Sequence, residues 1–136
     1  MTTTIERTEL GKFFTVTARR FAEGHGTVEM FSGAIDAEWH RLMETAEYAD
    51  FSTVHAGAVL GHGANCGSGP VAWVTAYEEM YGTLPVIWFT REDGTLDEEG
   101  LAHYRETGTV RGEWNCNPTG GDGDDVATAP KKPATA

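Results

Sequence analysis

Asp36 and His40 stand four residues apart, so on an α-helix a carboxylate and an imidazole share one face, one turn apart. A second imidazole, His62, lies in the glycine-rich residues 56–69, where backbone freedom lets a loop come close to a helix. A carboxylate accepting from an imidazole N–H sets its tautomer and aims the other ring nitrogen, an arrangement used in metal ligation and in acid–base chemistry. Asp36, His40 and His62 therefore have the donor types of an open divalent-metal site, zinc among the ions they suit, with water completing the sphere. Trp39 flanks them, giving a candidate pocket of Asp36, Trp39, His40 and His62. The plainer alternative is an Asp–His pair that fastens the glycine loop to the helix and does no chemistry.

Other chemistries fit less well. Cys66 and Cys116 are too few for a disulfide framework and form no C-x-x-C pair. A closed zinc site from His55, His62, Cys66 and Cys116 requires the C-terminal strand to fold back onto the glycine loop. Cys66 with His40 or His62 as base has the residue types of a nucleophile pair, but a lone cysteine among glycines is more often incidental. H-E-x-x-H and G-x-S-x-G are absent. No Lys-Ser/Thr follows the glycines, so they are not a phosphate-binding loop. Around Asp93-Gly94, aligning Gly94 to the calcium-loop glycine puts Phe89, Arg91 and Gly100 at ligand positions, which rejects an EF-hand.

The elements that must position these residues are mostly helical by pattern. Leu10, Phe13, Phe14, Thr17 and Phe21 recur at helical spacing and predict a helix over 5–23. Ile35, Trp39, Leu42, Met43, Ala46 and Val54 predict a buried stripe on a helix over 34–56, broken near Thr45, with Asp36, His40 and Glu47 along its edge. Pro70 is expected to open a third helix that ends at Gly82. Residues 84–89 are rich in strand formers, and a short strand over 109–114 is expected to pair with 86–90. Thr95-x-x-Glu98 reads as a capping box for a helix ending at Gly108. The expected fold is α+β and mostly helical, with about four helices and a small two-stranded sheet near the C-terminus.

The chain has 136 residues and a formal charge of −11, enough for one domain, taken as residues 1–117. Residues 118–136 carry Gly, Asp, Ala, Pro and Lys with little to bury and are expected to be a disordered tail. The acidic balance argues against nucleic acid and anionic membrane surfaces. Arg7, Lys12, Arg19 and Arg20 lie near one another, but Glu6, Glu9 and Glu23 dilute them. No apolar run approaches the ~20 residues of a membrane span, and no signal-peptide pattern opens the chain, so a cytoplasmic location is the default. Two functional classes follow: a metal or small-ligand pocket, serving an accessory enzyme, or a non-catalytic protein-interaction module in which the Asp/His cluster is structural.

Asp36, Trp39, His40, Thr45, Tyr48 and Phe51, followed by Gly57 and His62, resemble the Asp-x-x-Trp-His motif of glycine-rich domain-containing proteins, best known from plants and with short bacterial relatives. Tyr77, Tyr81-Gly82, Pro85 and Ile87-Trp88 extend the likeness over about residues 33–89. Ser52 stands where the family often has cysteine, and the long glycine-rich region of the plant proteins is missing. The resemblance implies a helical domain and a shared Asp36/Trp39/His40/His62 cluster, and it implies no reaction.

Overall fold

The computed structural model describes residues 4–24 and 27–120. Helix α1 (Ile5–Ala22) starts at Thr4, whose side chain accepts from the Arg7 N–H at 3.1 Å, satisfying one of the donors that the first helical turn leaves open. Its apolar face buries Leu10, Phe13 and Phe14 completely. Phe13 is the hub of the core: the rings of Trp39, Trp73 and Trp88 stand around it with centroids at 5.9, 5.1 and 5.7 Å. The Trp39 and Trp73 contacts are edge-on, the geometry the aromatic quadrupole favours.

Helix α2 (Gly33–Met43) is capped by Ser32, whose hydroxyl accepts from Ile35 N. It buries Ile35, Trp39 and Leu42 against α1. Thr45 closes it: its hydroxyl donates to Leu42 O at 2.8 Å and accepts from Glu47 N at 3.2 Å. The chain restarts as α3 (Tyr48–Ala56), so the break divides the expected long helix in two and raises the count to five α-helices among the described residues. The expected buried stripe fails beyond the break. Ala46 and Val54 are exposed: Ala46 falls in the break itself, and α3 turns Tyr48, Phe51 and Ser52 inward in place of Val54.

The glycine-rich stretch is not a loop. It forms β1 (Gly61–Pro70), antiparallel to β2 (Arg111–Thr119). Glycine normally weakens a strand; here the missing side chains leave room for those of β2. A Cβ on Gly67 would stand 2.8 Å from the Trp114 indole nitrogen, and one on Gly61 would stand 2.2 Å from the Thr119 hydroxyl. Pro70 ends β1 instead of opening a helix, and α4 (Val74–Tyr81) begins four residues later.

Residues 84–89, expected as the partner strand, hold a 3-10 turn at Val86–Phe89. Trp88 and Phe89 are adjacent and both buried. A strand sends neighbours to opposite faces, whereas the tight turn directs Trp88 under α1 and Phe89 onto Tyr104, stacked at 5.5 Å. Helix α5 (Glu98–Thr107) is capped by Asp97, which accepts from Gly100 N, and not by Thr95. Thr95 instead donates to Asp93 within the preceding turn.

The fold is α+β, mostly helical, with a two-stranded antiparallel sheet whose second strand lies near the C-terminus. That strand runs through Pro118 and Thr119, so the folded part extends beyond the expected boundary at residue 117; the rest of the expected tail, 121–136, lies outside the described residues. Among the described residues no helix is long and apolar enough to cross a membrane.

Candidate metal centre

Asp36 sits in the first turn of α2, on the side facing the β1–β2 ribbon. His62 is the second residue of β1, opposite Pro118 of β2. Its position depends on a chain of hydrogen bonds just upstream: Trp39 Nε1 donates to Tyr48 Oη at 3.1 Å, and Tyr48 donates to Leu60 O at 2.6 Å. Buried Ser52 adds two more, donating to Ala58 O and accepting from Leu60 N. The turn into β1 is therefore held by α3, which is why a strand without large apolar side chains enters the fold at a defined place.

Asp36 is the shared partner in the cluster. Its Oδ1 lies 3.4 Å from His62 Nε2 and accepts from the Cys116 thiol at 3.2 Å, while its Oδ2 lies 3.4 Å from His40 Nε2. The imidazole rings of His40 and His62 stand 4.5 Å apart, and His62 meets the edge of Trp39 at the same distance. The Asp36 carboxylate bridges the two imidazoles, one oxygen lying beside each ring. Trp39 is completely buried and forms the apolar floor of the cluster. Glu47, expected along the same edge, stands beyond the break and reaches Arg7 at 3.5 Å.

Exposure grades across the group. Cys116 is buried, His62 and Asp36 are partly covered, and the His40 side chain is 53% exposed, so the cluster opens to solvent at His40. Burial pushes the Asp36 carboxyl up, but the hydrogen bonds from His62 and Cys116 and the charges of the two imidazoles outweigh it and hold it below the usual aspartate value. Burial, then the Asp36 charge and hydrogen bond, push the Cys116 thiol well up. The protonated thiol is thus the donor and the carboxylate the acceptor.

Asp36, His62 and Cys116 each offer one ligand atom, all within 4.8 Å of one another. The edge of a zinc tetrahedron is about 3.3–3.8 Å, from metal–ligand lengths of about 2.0–2.3 Å, so the 3.2 and 3.4 Å separations from Asp36 Oδ1 already have that scale. Cys116 is the residue that the sequence reading did not place here. The C-terminal strand does fold back onto the glycine-rich stretch, and it brings Cys116 to Asp36 and to His62, one of the three expected companions. Cys66 is exposed, at the irregular part of β1 between Ala64 and Gly67. His55 lies against Phe51, at 4.6 Å, and over Gly11. One signal for Cys116 was present in the sequence: Trp114 and Cys116 alternate with Glu113, Asn115 and Asn117, the period of a half-buried strand.

Comparison with known proteins adds no assignment: the chain matches no family model, no curated protein and no solved structure.

Proposed function

We propose that Asp36, His62 and Cys116 form a divalent-metal site of the zinc type, with His40 at its open side, and that the domain works as a metal- or small-ligand-binding unit. The observation that carries this reading is the convergence of one oxygen, one nitrogen and one sulfur donor within 4.8 Å from three separate elements. Mixed N/O/S donors suit zinc-like ions, and three protein ligands with one open position is the pattern of sites that activate water or bind substrate. A metal here would displace the Cys116 proton, since a coordinating thiol ionises. Affinity should therefore rise with pH. His40, beside the carboxylate at the exposed edge, is suited to complete the sphere or to exchange a proton with a bound water.

A second reading rests on a specific observation as well. Without any metal, the Cys116 thiol has a carboxylate acceptor at 3.2 Å and the Cys116 carbonyl accepts from Met30 N at 3.1 Å. The cluster then serves to clamp β2 onto α2 in an interaction module.

The test is metal analysis and titration of protein purified without an affinity tag. We expect one zinc or cobalt ion per chain, with a cobalt–thiolate absorption band that is lost in Cys116→Ser and kept in Cys66→Ser. His62→Ala should abolish uptake, and His40→Ala should weaken it while the fold survives. No uptake, combined with a lowered unfolding midpoint in Asp36→Asn, would favour the clamp.

A further inference from the structure

A second concave site lies on the opposite side of α1 from the core, and it resolves the basic group near the N-terminus. Arg7, Thr8 and Lys12 of α1, Phe51 and His55 of α3, and Tyr81 of α4 line a cavity of about 450 Å³. Its lining contains three nitrogen bases and no carboxylate, in a chain of net charge −11. Two of the acidic residues that dilute this group in sequence are engaged, although Glu9 also holds Lys12. Glu9 is buried, where it accepts from Tyr77 and Trp88, and Glu23 pairs with Arg19.

The walls are built by close packing. A Cβ on Gly11 would stand 2.7 Å from the His55 ring, so the imidazole lies flat on α1 only because residue 11 is glycine. Phe51 packs on His55 at 4.6 Å, and the Lys12 ammonium lies 5.2 Å over the Tyr81 ring. Two aromatic rings therefore bound a space edged by cationic donors. Arg7 is shared with Glu38 and Glu47, and Lys12 with Glu9, so the remaining positive potential is small and suits a monoanion better than a dianion.

We propose that this cavity binds a small aromatic carboxylate, its ring between Phe51 and Tyr81 and its carboxylate toward Lys12, Arg7 and His55. The site is independent of the Asp36 cluster. The test uses benzoate as probe against the full chain in chelator-treated buffer, followed by ligand-observed NMR. Benzoate should bind, and benzamide, with the same ring and no charge, should bind at least about tenfold more weakly. Thr8→Glu, which adds a carboxylate at the exposed rim without touching the core, should weaken benzoate by a similar factor, as should Tyr81→Leu. Asp36→Asn should leave it unchanged, which separates this site from the metal reading. The proposal is overturned if benzoate does not bind, if benzamide or inorganic phosphate binds as well, if Thr8→Glu has no effect, or if Asp36→Asn removes binding.

Discussion

The Cys116 thiol donates to Asp36 Oδ1 across 3.2 Å, joining residues 80 positions apart in the chain. Both its burial and its carboxylate partner keep that thiol protonated, and the thiolate is the reactive form. A disulfide-exchange reagent should therefore titrate Cys66 rapidly in native metal-free protein and reach Cys116 only after denaturation. Two fast thiols in the native state would mean that β2 separates readily from α2.

Glu9 offers a test of the core. Its carboxylate is 2% exposed; Oε1 accepts from Tyr77 Oη at 2.6 Å and from Trp88 Nε1 at 3.0 Å, and Oε2 from Lys12 Nζ at 3.1 Å. Glu9→Ala leaves two buried donors without an acceptor, at about 1–3 kcal/mol for each, in addition to the lost packing. Urea unfolding should show Glu9→Ala destabilised by about 2–6 kcal/mol and Glu9→Gln, which keeps an acceptor oxygen, by less. Equal losses would show that the charge on Glu9 and not its hydrogen bonds matters.

Two glycines differ in what confronts them. A Cβ on Gly33 meets backbone, Glu92 N at 2.7 Å, whereas one on Gly67 meets the Trp114 side chain at 2.8 Å. Backbone held by the Arg91–Thr95 turn cannot yield, so Gly33→Ala should cost at least about 1–3 kcal/mol, the usual penalty of overpacking. The partly buried Trp114 ring can swing away, so Gly67→Ala should cost less and change the tryptophan emission. Denaturation midpoints that rank the two variants the other way would refute this.

Tyr104 provides a pH dependence. Burial, then its hydrogen bond to Glu78, push its hydroxyl up to about 12 from an ordinary value of 10. The folded state holds the proton more tightly, so the stabilisation is complete below pH 10 and is lost as pH rises toward 12. Tyr104→Phe, which also leaves Leu84 N without its partner, should be less stable than the parent at pH 8. The gap should narrow between pH 10 and 12. A constant gap would show that the hydroxyl ionises as it does in the unfolded chain.

Local chemistry explains which parts were readable in advance. The helices α1 and α2 announce themselves through apolar spacing, and Asp36 and His40 share an edge because helical geometry is set by neighbours in sequence. Even the break at Thr45 is local, since the hydroxyl bonds to Leu42 O within one turn. What the tertiary structure decided was everything that depends on distant partners. The stretch around Gly61, Gly63 and Gly67 has no strand pattern of its own; it becomes β1 because Trp114 and Thr119 occupy the space its missing side chains leave. Trp88 and Phe89 have strand propensity but both require burial, so they turn. Cys116 joins Asp36 through strand register and docking, contacts that no local spacing encodes across a separation of 80 positions.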